Sequence, residues 1–308
     1  MCFVYPNILS QTIAYLARIH PEFGAIMKAN KTSEKRPRRL FAATVAILMA
    51  CTAFVDSRWR LDVSEYALSS ARLPDTFDGF RVVHLSDLHR VRFGKDNFRL
   101  VEKVQQAKPD IIALTGDFVE GDTDLAEIES LCAQLVQIAP TYFVSGNHDA
   151  GSGRLREIGT MMARCGVIYL QNSYRTITKN GKELVICGVE DPNAWAEMPT
   201  PDELVSTLRA EHPDTFVLLL GHRNYWPDRY PDLDVDVILS GHGHGGIIRL
   251  PFVGGLLGTN ANLFPKYDAG VYDTQQYSMV VSRGLGNFPG IPRIFNPPHI
   301  PVIVLKSQ

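Results

Sequence analysis

Five short clusters in the chain carry side chains suited to hydrolytic chemistry. They are Asp87-Leu88-His89, Gly116-Asp117, Gly146-Asn147-His148-Asp149, Gly221-His222 and Gly241-His242-Gly243-His244. Each follows directly on an apolar run, and glycine accompanies four of them, which permits sharp turns and close backbone approach. The donors are carboxylates, imidazoles and one amide, with no cysteine among them. Such a set suits Mn, Fe or Zn and not a structural zinc–sulfur site. Delivered to one edge, these side chains could enclose two divalent cations. Any one cluster taken singly reads as a turn or a strand end. It is their ordered recurrence after apolar runs that points to a site.

An α/β sheet positions residues in this way, because the loops at the carboxyl ends of its strands gather on one edge. Short, β-branched-rich runs predict strands over 81–86, 111–115, 141–145, 183–189, 215–220, 235–240, 278–282 and 301–305. Apolar residues recurring at three and four predict helices over 96–107, 124–138 and 154–164. Thr200-Pro201-Asp202-Glu203 reads as a capping box opening a helix through Leu208. Strand and helix alternate up to about residue 165, which indicates parallel pairing. Strands dominate afterwards, which indicates a mixed sheet. Residues 56–70 read as a polar linker, and 251–277 as a long glycine-rich loop.

The ordered set D-x-H, G-D, G-N-H-D, G-H and G-H-x-H resembles the calcineurin-like metallophosphoesterase superfamily. The text around it is similar to the bacterial membrane-associated branch. Phe77-Asp78-Gly79-Phe80 leads into Arg81-Val82-Val83-His84-Leu85-Ser86-Asp87-Leu88-His89, and Phe93-Gly94-Lys95, Pro109-Asp110-Ile111-Ile112, Lys266-Tyr267-Asp268-Ala269-Gly270 and Ser282-Arg283-Gly284-Leu285-Gly286 follow. The resemblance runs from about Leu73 to Leu305. It implies a layered α/β/β/α sandwich of two mixed sheets flanked by helices, over a domain spanning 73–308. It also implies a site with two divalent ions, Mn favoured. Asp87, His89 and His244 would hold the first ion, and Asn147, His222 and His242 the second, with Asp117 bridging. His148 would be the unliganded imidazole that protonates the leaving oxygen. Two such cations neutralise phosphoryl charge and supply hydroxide near neutral pH.

Asp149 or Glu120 could orient His148. Arg90 or Arg223 could clamp a phosphate, although a lone Arg is more often a solvated surface residue. His20, His84, His212 and His299 match no position of the pattern and read as structural.

The composition bounds the rest. In 308 residues, 45% are hydrophobic and 21% charged, with a net charge of −2, which excludes a disordered chain. With no basic excess, no nucleic-acid partner is expected. Five cysteines without a CxxC exclude a disulfide framework. Residues 1–39 form a basic segment of net charge +5, and 40–55 are uncharged. That order, with Arg38-Arg39-Leu40-Phe41, predicts a signal-anchor or twin-arginine-type signal and then a linker over 56–72. The expectation is a single membrane pass through 40–55, with the catalytic domain extracytoplasmic because the basic flank stays inside. The substrate expected there is a phosphorylated small molecule or a lipid-linked phosphate. The alternatives are a pyrophosphatase or phosphodiesterase acting on soluble nucleotides, or a non-catalytic metal-binding scaffold.

Overall fold

The computed structural model describes residues 40–308 except 42, 46, 47, 49, 50, 59, 260, 261 and 288–290. The chain divides into two compact units, Met1–Thr52 and Ala53–Gln308. The basic segment 1–39 and its twin-arginine pair lie outside the described residues.

The expectation for residues 40–55 is corrected here. Among the described residues, no helix is long and apolar enough to cross a membrane. Sixteen residues rise about 24 Å as a helix, against roughly 30 Å of hydrocarbon. The finding overturns the single-pass anchor and the extracytoplasmic placement derived from it. The lipid-linked substrate was argued from that anchor alone and loses that argument.

In the second unit the strands begin with β1 (Asp62–Ser70), β2 (Arg81–Leu85), β3 (Ile111–Thr115), β4 (Thr141–Val144) and β5 (Ile168–Tyr169). Next come β6 (Ser173–Lys179), β7 (Lys182–Val189), β8 (Phe216–Gly221) and β9 (Val237–Ser240). A small ribbon, β10 (Arg249–Leu250) with β11 (Gly254–Gly255), precedes β12 (Gly270–Asp273), β13 (Ser278–Val281) and β14 (His299–Ser307). One six-stranded sheet has the order β1-β14-β2-β3-β4-β5, and the other β12-β13-β9-β8-β7-β6. Strands β2 to β5 run parallel, as do β7, β8, β9 and β13. Antiparallel pairs join β14 to β2, β6 to β7 and β12 to β13. Both sheets are therefore mixed.

The alternation of side chains along each strand builds the layers. Val82, Ile111, Ala113 and Val144 of the first sheet pack against Ile186, Leu218, Leu220 and Leu239 of the second, forming the core between sheets. The opposite face of the first sheet, with Val83, Leu85, Ile112 and Leu114, takes the apolar stripes of three helices. These are α1 (Phe98–Gln106), α2 (Leu125–Leu135) and α4 (Leu155–Cys165). The short α3 (Asn147–Gly151) precedes α4. On the far face of the second sheet, Val185, Val217, Leu219 and Met279 meet Leu204, Val205 and Leu208 of α5 (Pro201–Glu211) and Trp226 of α6 (Trp226–Arg229). The capping box that opens α5 is formed. Thr200 Oγ1 accepts from Glu203 N, and Glu203 Oε2 accepts from Thr200 N at 2.8 Å.

Residues 62–70, expected within a linker, form β1, which pairs in parallel with β14 along its whole length. β6 and β12 were likewise unassigned, and β12 lies inside the stretch expected to be a loop. All three are edge strands, where polar residues are usual.

Candidate metal centre

The topology explains why the five clusters converge. β2, β3 and β4 are parallel neighbours in one sheet, β8 and β9 in the other, and each cluster sits at the carboxyl end of its strand. Hydrogen bonds tie these ends together. Asp87 N donates to Gly116 O at 3.0 Å, His89 N to Asp117 O at 2.9 Å, and Gly241 N to His222 O at 2.9 Å. Across the two sheets, His242 N donates to the Asp87 carboxylate at 3.0 and 3.1 Å. Gly241 is required there, because a Cβ on it would overlap Ser86 and the Asp87 carboxylate.

Asp87, His89, Asp117, His242 and His244 all have φ between 46° and 66°. That left-handed region is uncommon for residues other than glycine. Held this way, each costs on the order of 1–3 kcal/mol, which the surrounding packing must offset. Strain of this kind clusters at functional sites.

Three groups of ligand-type atoms result among the described residues, one of them His89, Glu120 and His148. Asp87, His89 and His244 present atoms within 4.8 Å of one another, and so do Asp117, His222 and His242. Asp117 stands between these last two groups, its Oδ2 3.1 Å from His222 Nε2 and 4.0 Å from His89 Nε2. Asn147 Oδ1 lies 3.1 Å from His222 Nε2. His222 Nδ1 donates to Thr115 O at 2.8 Å, so its Nε2 turns toward the oxygens of Asp117 and Asn147. His89 Nδ1 meets Glu120 Oε1 at 2.6 Å, and its Nε2 faces His244 Nε2 at 3.1 Å.

The charge balance supports a cation. Asp87 and Asp117 are buried, and their ion pairs among the described residues are with imidazoles alone. Buried carboxylates need compensating positive charge. Burial opposes a charged His222, yet Asp117 and Asp87 push it up to about 10. Burial, then His222 and Arg223, hold His242 down at about 2, and burial keeps His244 well below the usual range. Carboxylate, imidazole and amide donors facing one another fit divalent ions.

All eight residues singled out from the sequence are thus neighbours. The His148 side chain is 40% exposed. Its N donates to Asp117 Oδ1 at 2.7 Å, and its ring stands edge-on to His89 at 4.9 Å.

The supporting residues differ from expectation. Glu120 binds His89 and also accepts from Arg90 Nε at 2.7 Å, while His148 Nδ1 is 3.9 Å away. The hydrogen bond with His89, then Arg90 and His148, pulls Glu120 down to about 2 despite partial burial. Asp149 faces away from His148. Its carboxylate accepts from the backbone N–H of Asp117, Phe118, Val119 and Gly146 at 2.6–3.0 Å. Burial, with Asp117 beside it, raises the Asp149 pKa, while the amides of Gly146, Val119 and Asp117 draw it back.

Neither candidate phosphate clamp is unpaired. Arg90 is bound to Glu120 and Asp122, and Arg223 to Asp191 at 2.6 Å, with Arg223 NH1 3.2 Å from His242 Nε2. Sequence reasoning missed Asp191, although it follows the apolar run of β7 as the other clusters follow theirs. His84 and His299 are buried and His212 lies beside Glu183, while His20 is outside the described residues.

Residues 80–246 match the calcineurin-like phosphoesterase family model. An uncharacterized metallophosphoesterase of Bacillus subtilis is 28% identical over 253 residues, 80% of this chain and 86% of the relative. The phosphodiesterase YaeI of Escherichia coli is 27% identical over 264 residues, 82% and 93% of the two chains. Among solved structures, a dimetal phosphatase from Danio rerio aligns with a TM-score of 0.41 at 12% identity, covering 67% of this chain and 88% of that one. With the family model spanning more than half of its length, the chain belongs to the calcineurin-like phosphoesterases and is a metal-binding hydrolase of phosphoester bonds.

Proposed function

We propose that the chain hydrolyses a phosphodiester or phosphoanhydride with two divalent ions. Asp87, His89 and His244 hold one, Asn147, His222 and His242 the other, and Asp117 is shared. The observation that carries this reading is the pair of donor groups meeting at the Asp117 carboxylate. Two bound cations would neutralise phosphoryl charge and lower the pKa of a coordinated water. A donor set without thiolate favours manganese, with iron or zinc as the other candidates.

The chain's own groups do the rest. Glu120 and the Thr115 carbonyl fix the rings of His89 and His222 by their Nδ1 atoms. His148, held through its backbone on Asp117, delivers a proton to the leaving oxygen from Nε2, since its Nδ1 lies on the Glu120 side. A diester is the favoured substrate class because the Escherichia coli relative is named a phosphodiesterase.

The test uses the full chain, stripped of metal and assayed on a phosphomonoester, a diester and a pyrophosphate. Activity is expected to vanish on chelation and to return with Mn²⁺. His148→Ala is expected to lower kcat by roughly 10²–10⁴ with metal content retained. Undiminished turnover in metal-free protein would refute the two-ion reading, and loss of metal from His148→Ala would refute the role of that histidine.

A further inference from the structure

On the His222 side of the candidate metal groups lies a cavity of about 230 Å³, walled by Trp195, Met198, Tyr225, Tyr230, His222 and Arg223. We propose that this cavity binds a planar, uncharged aromatic arm of the substrate, either an aryl ring whose phenol oxygen is esterified to the phosphorus or the base of a nucleoside esterified through its sugar. The proposal rests on the phosphoesterase reading and names its substrate class.

Position comes first. His222 is at once a wall of the cavity and a member of the Asp117 donor group. The cavity therefore adjoins the Asp117 donor group at His222. Size comes second. Whole-ligand pockets run to roughly 300–1,000 Å³, so this cavity suits one arm of a substrate.

Charge then selects the kind of arm. Two acidic residues, Glu190 and Asp191, also line the cavity. Its one guanidinium, Arg223, is already engaged by Asp191 at 2.6 and 3.3 Å. A second phosphate would meet acidic groups with no uncommitted cation, whereas a neutral ring meets no such penalty.

The walls supply the attraction. Trp195 is 36% exposed, so its ring is available for stacking. Trp226 serves differently. It is buried and lies so close on β8 that a Cβ on Gly221 would overlap it.

The experiment measures binding of three hydrolysis-resistant probes to the metal-loaded full chain by calorimetry: methylphosphonate, phenylphosphonate and a nucleoside 5′-phosphonate. At least one ring probe is expected to bind about tenfold tighter than methylphosphonate, the range for stacking on an aromatic side chain. The tighter of the two ring probes identifies the source as aryl or nucleoside. Trp195→Ala should remove that advantage while changing methylphosphonate affinity by less than about twofold, and Trp195→Phe should restore most of it. Equal affinity for all three probes in the wild type would overturn the proposal, as would a Trp195→Ala that weakens all three alike. Ring preference in a chain that hydrolyses no ester would support the cavity and refute the phosphoesterase chemistry. Hydrolysis without ring preference would do the reverse.

Discussion

Replacing Asp149 by Asn tests whether the metal centre is held by its backbone clamp. The Asp149 carboxylate is fully buried and accepts four backbone N–H groups, two on each oxygen. Asn keeps one oxygen and turns an NH₂ toward the other pair, so two buried donors lose their acceptor in either orientation. At about 1.5–3 kcal/mol for each hydrogen bond to a charged group, the loss is about 3–6 kcal/mol. That is a large share of a total stability on the order of 5–15 kcal/mol. With the NH₂ at the Oδ2 position the freed donors are the N–H groups of Asp117 and Gly146, and the left-handed turn that aims the Asp117 carboxylate loosens as well; with it at Oδ1 they are those of Phe118 and Val119. Urea unfolding should show a lower midpoint at unchanged slope, and the folded fraction should retain less metal by elemental analysis. A stability loss under about 1 kcal/mol with full metal content would refute the clamp.

Three further outcomes are expected. Gly146→Ala places a Cβ against the Asp117 carboxylate and amide. Metal content and turnover should both collapse, at a stability cost of about 1–3 kcal/mol. The second outcome concerns pH. Burial drives the His84 pKa down to about 3, so below its ordinary 6.5 the unfolded chain binds the extra proton. Stability contributed by neutral His84 is then present above pH 6.5 and falls by about 1.4 kcal/mol per unit toward pH 3. Denaturation midpoints at pH 7, 6 and 5 should slope less steeply in His84→Gln, and an unchanged slope would show that His84 does not titrate this way. Lastly, Glu120→Gln should reduce metal retention through His89, whereas a changed pH profile at full metal content would mean that Glu120 acts on His148 instead.

The core strands were legible because burial on both faces writes continuous apolar runs, as in Ile111–Thr115 and Phe216–Gly221. The site was legible for a related reason, since each run ends in a polar cluster and parallel pairing brings those ends together. The edges were not. β1 and β6 bury little; DVSEYALSS reads as part of a polar linker, and SYRTITK gives no strand signal. What holds them is backbone pairing, which leaves no mark on composition. Asp149 shows a second limit. Its place in G-N-H-D suggested a partner for the neighbouring imidazole, while its actual partners are amides thirty residues earlier and one at Gly146. Spacing along the chain names a cluster without saying which way each side chain turns. Charge order and hydropathy pointed to an anchor over 40–55, whereas no helix among the described residues is long and apolar enough to cross a membrane.

The left-handed backbone at Asp87, His89, Asp117, His242 and His244 bears on how such a site persists over generations. Glycine at any of the five would relieve torsional strain, so a chain selected only for thermal robustness would gain by discarding its own donors. Stability and chemistry pull in opposite directions at the same five positions. A lineage released from its catalytic duty should therefore lose these residues early and become harder to unfold as it does so.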